Sequence, residues 1–239
     1  MKIKSNVYCM DNMVFMRNCK DKQFDVAVVD PEYLNQEENM KDEDKRGGRM
    51  VKSGASFLDF SGKPTEEYFY HLFRISKEQI IFGGNYFTDI LDWSKFKDTG
   101  IVKPFLISNN NWFIWYKQVA DAKWSMCEQA WVSIKKPSKV FRYFPMGNVS
   151  NWHPTSKPVE VYRYIFETYL NKLKGNGRLS VLDTNLGSGS IRKVAFMLGY
   201  DFTGIEINRK FYDLGNADFD DYIAKNLLML PYELEESWL

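Results

Sequence analysis

The chain has 239 residues, with 32 lysines and arginines against 31 aspartates and glutamates, a formal net charge of +1. A chain this long can bury a sizeable core, and a charge balance this near zero excludes a globally basic nucleic-acid binder, so any basic surface must be local. Scattered Cys9, Cys19 and Cys127 form neither a zinc spacing nor a disulfide framework, and no segment approaches a membrane span; with the polar start MKIKSNVYCMDN this sets the expectation of a cytoplasmic protein without a metal site.

Strand-like and helix-like segments alternate along the chain, which predicts one α/β domain over 1–239 with a mostly parallel, doubly wound sheet. The run from Phe24 to Asp30 (FDVAVVD) is continuously apolar, as a strand buried on both faces requires. It stops at Asp30-Pro31-Glu32-Tyr33, and the carboxyl ends of such strands are where open α/β sheets bind ligands. Residues 34–57 follow, charged, aperiodic and interrupted by Gly47-Gly48, and are longer than an ordinary connection; they are expected to form a mobile functional loop or a disordered segment. A helix is predicted to start around Pro64-Thr65-Glu66-Glu67, carrying Tyr68, Leu72 and Ile75. Ile80–Phe82 reads as a short strand running into Gly83-Gly84-Asn85. Trp112–Tyr116 and Ala130–Ile134 read as further strands, with 93–111 and 135–149 as inserted segments. Beyond them come a helix at Val159–Leu170, a strand at Leu179–Leu182, a helix at Ile191–Leu198 and a strand at Phe202–Ile207.

The stretch from Gly177 to Ile207 holds a second cluster. A strand ends at Asp183, the turn Gly187-Ser188-Gly189 follows, and a helix opens at Ser190. Glycines there let a ligand lie against bare backbone, and a helix start offers free amides. Glu206, near the end of the next strand, stands where a carboxylate accepts from both hydroxyls of a ribose. By itself the turn fits an ordinary strand-to-helix connection equally well. Arg192 occupies the third glycine position of the dinucleotide fingerprint, which argues against a nicotinamide cofactor but not against another adenosine-containing one.

Taken together, the two clusters resemble the S-adenosylmethionine-dependent amino-group DNA methyltransferases, in the permuted order with the catalytic tetrapeptide first. Asp30-Pro31-Glu32-Tyr33 resembles their D-P-P-Y, and Asp183 to Ser190 (DTNLGSGS) their D-P-F-x-G-S-G-T. His153 to Pro158 matches H-P-T-x-K-P ahead of a helix, Met10 to Met13 resembles a G-D-x-L segment, and Phe82 to Phe87 resembles G-G-N-Y-F. The likeness runs from about Tyr8 to Asp213 and departs at Glu32, where the family has proline, and at Asn185, where it has phenylalanine.

The resemblance implies a Rossmann-like methyltransferase fold, S-adenosyl-L-methionine as cofactor, and methylation of an exocyclic amine in double-stranded DNA. An Asp-led tetrapeptide goes with adenine by family habit; a cytosine-N4 enzyme, a methyltransferase for RNA or a protein amide, and an inactive nucleic-acid-binding relative stay open. The catalytic group implied is Asp30 and the Pro31 carbonyl as acceptors for the amine, with Tyr33 stacking on the extruded base. Asp11, Lys157, Asp183, Gly187, Gly189 and Glu206 are implied at the cofactor, although Asp11 serves equally as a helix cap. His153 is expected to be structural, because the chemistry needs no imidazole. For DNA, Lys45, Arg46 and Arg49 in the long loop, Glu128, and Lys135 with Lys136 are the candidates, in patches that also include Lys52, Lys139 and Arg142. No membrane partner is expected, and a homodimer is compatible with the sequence.

Overall fold

The computed structural model describes residues 2–32, 63–88, 111–118, 125–145, 152–153, 155–175, 177–226 and 233–234. Tyr33, Lys45, Arg46, Arg49 and Lys52, the rest of the 34–57 loop, 93–110 and 146–149 lie outside them.

The short strand β1 (Lys2–Ile3) is followed by β2 (Ser5–Cys9), helix α1 (Asn12–Asn18) and β3 (Phe24–Val29). Helix α2 (Glu66–Ile75) leads directly into β4 (Ser76–Phe82), and β5 (Trp112–Tyr116), β6 (Cys127–Val132) and β7 (Lys139–Arg142) follow. Helix α3 (Val159–Ile165) continues as a π turn over Phe166–Leu170; then come β8 (Ser180–Asp183), α4 (Ser190–Met197), β9 (Asp201–Glu206), α5 (Arg209–Asn226) and β10 (Glu233–Leu234).

Eight strands form one sheet in the order β2-β9-β8-β3-β4-β6-β5-β7, while β1 pairs with β10. Strands β2, β9, β8, β3 and β4 are mutually parallel, and β6 runs antiparallel to β4 and β5. The expected doubly wound, mostly parallel sheet is therefore present. Its middle strand explains the apolar run: Val26 and Val28 pack on one face with Val161, Ile165, Ile191 and Val194, while Ala27 and Val29 pack on the other with Met16, Tyr68 and Leu72. A strand buried on both faces has no room for alternation.

Several boundaries differ from expectation. Strand β4 starts four residues before Ile80, because buried Ser76 and Gln79 satisfy each other: Gln79 Nε2 donates to Ser76 Oγ at 3.0 Å, and Ser76 Oγ donates to Leu72 O at 2.5 Å. Strand β6 starts at Cys127 and stops at Val132, so it includes Glu128 and ends before Ile134. Strand β7 falls inside the expected 135–149 insertion and extends the sheet beside β5. Among the described residues no helix is long and apolar enough to cross a membrane.

The two windings diverge between β3 and β8: α2 carries the chain outward from β3 to β4, and α4 carries it the other way from β8 to β9. Such a switch point leaves a crevice at the strands' carboxyl ends. Arg192 braces the β8 side. From α4 its Nη1 donates to Asn216 Oδ1 at 2.6 Å, its Nε to Ser5 Oγ at 3.0 Å and its Nη2 to Ser5 O at 3.2 Å, over the Phe219 ring at 3.7 Å. Charge-assisted bonds are worth about 1.5–3 kcal/mol each and are not additive, so Arg192→Ala is expected to cost about 3 kcal/mol. Arg192→Lys should restore little, since one ammonium cannot span three acceptors. Urea unfolding measures both; a loss under about 1 kcal/mol for the alanine variant would show that these bonds do not brace the fold.

Candidate active site

The switch-point crevice collects the chain's buried acids. Asp30 directly follows β3, Asp183 ends β8 and Glu206 ends β9. Pro31 is buried beside Asp30. Asp30 Oδ2 accepts from Lys157 Nζ in a close ion pair, while Asp30 Oδ1 is buried with no hydrogen-bond partner among the described residues. Lys157 is itself only 5% exposed, lies 4.7 Å over the Phe82 ring, and also contacts Glu128 Oε2 at 3.1 Å. Glu128 Oε1 takes a second cation, Lys117 Nζ at 2.6 Å.

Burial is the largest influence on each of these carboxyls. It pushes Asp30 above the usual carboxylate range, Lys157 pulling it back and Glu128 pushing it further up. Glu128 lies below its ordinary value, since Lys157 and Lys117 together outweigh its burial. Burial, then the charges of Asp30 and Glu206, raise Asp183 to about 8, against one amide bond from Asn185 N at 3.0 Å. Glu206 is raised by burial, with backbone amides opposing: Oε2 accepts from Gly187 N and Oε1 from Asn208 N, both at 2.8 Å. The Ile207 amide adds to these, and the roughly four lone-pair sites of the carboxylate still leave room for a further donor.

The glycine turn joins these acids. Gly187 has φ +53°, and a Cβ there would meet His153 Nε2 at 2.9 Å; Gly189 has φ +71° and open space where its Cβ would stand. Both positions need glycine for their backbone, and the second presents bare backbone to a ligand. His153 packs against Phe211 with ring centroids 4.5 Å apart, and burial lowers its pKa to about 4, so the ring is neutral. Ser156 Oγ donates to Ser188 Oγ at 2.9 Å, so the 153–158 segment clamps the turn and delivers Lys157 to Asp30.

The structure thus brings Asp30, Pro31, Glu128, Lys157, Asp183, Gly187, Gly189 and Glu206 to one edge of the sheet. Asp11 lies beside them, because the Met10 amide donates to Glu206 O at 3.1 Å; its side chain caps α1 through Val14 N at 2.9 Å. Lys135 and Lys136 are elsewhere. Strand β6 runs antiparallel, Phe82 facing Ala130 and Ile80 facing Val132, so the residues after it lie toward the amino ends of the parallel strands, away from Asp30. Lys136 Nζ there stands 5.2 Å over the Tyr169 ring.

Two residues at the site carried no sequence signal. Lys117 looks like an ordinary charge after a strand, and only the β5–β6 pairing brings it to Glu128. Tyr68 reads as a core position of α2, yet its hydroxyl lies 2.6 Å from Thr184 Oγ1 and donates to Asn185 Oδ1 at 3.0 Å.

Several features suit a cationic, adenosine-bearing cofactor. Asp183, raised by burial and by the charges of Asp30 and Glu206, is relieved by a nearby cation, and Glu206 with the open Gly189 backbone offers an acceptor next to a cradle. A family model described as a DNA methylase matches residues 13–217. In fold the chain is similar to the M1.HpyAVI–SAM complex, at 17% identity and TM-score 0.57 over 90% of this chain and 98% of that one. TTHA0409 from Thermus thermophilus, complexed with S-adenosyl-L-methionine, matches at 13% identity and TM-score 0.56 over 98% and 99%. The cytosine-N4-specific PvuII DNA methyltransferase matches at 9% identity and TM-score 0.55 over 99% and 98%. No curated protein matches the chain.

Asp183 yields a pH test. Its folded pKa of about 8 lies above the ordinary aspartate value of 3.8, so between those values the folded chain binds more protons than the unfolded one. Its contribution to stability is full below the lower value and is lost as pH rises through the upper one. Asp183→Asn keeps an acceptor for the Asn185 amide and removes the titration. Unfolding free energies at pH 6 and 8.5 should therefore fall less over that interval in the variant than in the parent; equal falls would place Asp183 in a solvated setting.

Proposed function

The chain belongs to the DNA methylase family matched over residues 13–217, and from that premise we propose that it methylates the exocyclic amine of adenine in double-stranded DNA, with S-adenosyl-L-methionine as methyl donor. The observation that carries this reading is the buried Asp30 Oδ1 at the tip of β3, an acceptor to which no described residue donates. S-adenosyl-L-methionine, when bound, supplies an electrophilic methyl on a sulfonium sulfur.

An exocyclic amine is a poor nucleophile because its lone pair is delocalised into the ring. Asp30 Oδ1 accepts one of its N–H groups and the Pro31 carbonyl the other, which favours a pyramidal nitrogen with its lone pair directed at the methyl. That geometry belongs to the transition state, so the stabilisation is differential. Tyr33 is assigned to stacking on the extruded base, worth about 1–3 kcal/mol. Glu206 is assigned to the ribose, with Asp11, Asp183, Gly187 and Gly189 around the rest of the cofactor. Lys45, Arg46 and Arg49 are assigned to DNA phosphates, with Lys135 and Lys136 reaching only DNA that extends past the sheet's far edge.

Labelled S-adenosyl-L-methionine and mixed-sequence duplex DNA test the reading, with N6-methyladenine expected after hydrolysis. N4-methylcytosine alone would correct the base, the activity that the PvuII fold relative's name specifies. No label in DNA would remove the activity.

Asp30→Ala should lower single-turnover transfer about 100- to 1,000-fold, by analogy with loss of one preorganised donor from an oxyanion site. Lys157 keeps its Glu128 partner in that variant, so the crevice is not left with an unpaired buried cation. Cofactor and DNA affinities should stay within a few-fold of the parent; transfer at the parent rate would mean that the β3 tip is not the active site. Glu206→Ala should act on binding instead. It removes bonds to the ribose diol worth about 1.5–3 kcal/mol each, so calorimetry should show S-adenosyl-L-methionine bound at least about tenfold more weakly. Unchanged affinity would show that Glu206 does not hold the ribose.

A further inference from the structure

Asp30 faces charged or titratable groups from every element packed against it. These are Lys157 ahead of α3, Glu128 on β6, Lys117 after β5, Asp183 at the end of β8, Tyr162 on α3 and Tyr68 on α2. Three of them form one contact chain with Asp30, Lys117–Glu128–Lys157–Asp30, which is neutral when all are ionised. Within it Lys157 alone touches both carboxylates, and the Phe82 ring fixes its ammonium from one side.

We infer that Lys157 is the positioning residue of the transfer site: it engages Asp30 Oδ2, keeps the carboxylate ionised in a desolvated crevice, and leaves Oδ1 to receive the target amine. The inference rests on the amine-methylating reading above. It gives Lys157 a role toward the acceptor of the substrate rather than toward the cofactor. The two ends of the chain are not equivalent. Without Lys157 the remaining charges sum to −1, and a proton restores neutrality. That proton goes to Asp30, because Glu128 retains Lys117. Without the Glu128 charge the sum is +1, Asp30 no longer shares Lys157 with a second carboxylate of this chain of contacts, and Asp30 becomes harder to protonate. Coupled sites of this kind titrate as a set, so one deletion must move the acidic limb up and the other must move it down.

The test compares Lys157→Met and Glu128→Gln with the parent, following single-turnover methyl transfer from pH 5.5 to 8.5 and calorimetric affinity for S-adenosyl-L-methionine. In parallel, the carboxyl carbon of Asp30 is titrated by NMR in chains labelled at aspartate and assigned with Asp30→Asn. Removing an opposite charge this close moves a pKa by about 1–3 units. Lys157→Met should therefore raise the acidic limb by at least one unit, lower transfer at pH 7 by about tenfold or more, and recover much of it by pH 8.5. Glu128→Gln should shift the limb and the Asp30 titration the other way, and Lys157→Arg should restore much of the parent profile. Cofactor affinity should stay within a few-fold throughout. Limbs that do not move, or that move together, overturn the inference. So does a loss of cofactor affinity in Lys157→Met with the Asp30 titration unchanged, which would assign Lys157 to the cofactor. Should Lys157→Met fail to fold, the isosteric Glu128→Gln decides by the sign of its shift. If the parent chain transfers no methyl to DNA, the functional reading fails, while the Asp30 titration still decides whether Lys157 holds the carboxylate.

Discussion

Two backbone pairings, Val26 with Val181 and Ala27 with Leu182, hold the site together. They join β3 to β8 in parallel at the place where the chain winds outward in both directions, so the crevice exists only because these strands are neighbours. They also fix its depth. With Ala27 opposite Leu182, the end of β8 at Asp183 falls two positions short of Asp30, and both carboxyls reach the same mouth. A slip of one residue would turn every side chain of β3 to the opposite face and pit Val26 and Val28 against the wrong helices. The apolar run of β3 thus sets the register, and the register sets the chemistry.

Concentrating acids at one point is costly, and the surrounding structure offsets that cost in different ways. Asp183 escapes by holding its proton near neutral pH. Glu206 is served by backbone amides, which stabilise a carboxylate without adding a counter-charge. Asp30 and Glu128 are balanced by Lys157 and Lys117. These are separate solutions to the same desolvation problem, and they leave Asp183, Glu206 and the Asp30–Glu128 pair in three electrostatic states. Among these acids, Asp30 combines a neutralising cation on one oxygen with a second oxygen that has no hydrogen-bond partner among the described residues. A site that must accept from an uncharged amine and tolerate a cation next to it needs that combination.

The sequence disclosed the parts of this arrangement that depend on local pattern. The strand before Asp30 and the turn at Gly187 to Gly189 were legible because each is a short run with its own apolar or glycine signature, whereas the segment ending in Lys157 was legible only through its resemblance to H-P-T-x-K-P. Strand β4 was legible only in its apolar half. Its first residues, Ser76-Lys77-Glu78-Gln79, are polar, and the bonds that allow Ser76 and Gln79 to be buried lie between side chains. The partners of Lys157 and Glu128 were not legible at all. They are set by the antiparallel entry of β6 beside β4, which no period in the chain announces. The same reversal carries Lys135 and Lys136 away from the crevice, although their spacing in the sequence resembles that of any basic patch.

Asn185 shows how a departure from a family pattern can be absorbed by a neighbour. The resemblance places phenylalanine at this position, where a ring would hold the turn by packing. Asn185 instead accepts two bonds at its Oδ1, from Tyr68 at 3.0 Å and from Thr184 Oγ1 at 2.8 Å, while Asn12 Nδ2 donates to Thr184 O at 3.2 Å. The loop between β8 and α4 is therefore tied by hydrogen bonds to α1 and α2, the two helices that cover the face of β3 carrying Ala27 and Val29. Hydrogen bonds are more directional than ring packing and cost more when one partner is lost, since a buried phenol without a partner costs about 1–3 kcal/mol. Tyr68 and Asn185 are thus a matched pair, and α2 acquires a share in fixing the loop that ends at the glycines. Restoring the family's phenylalanine at 185 alone would not improve the site, because the Tyr68 and Thr184 hydroxyls would lose the acceptor they share and keep only each other, leaving one proton without a partner.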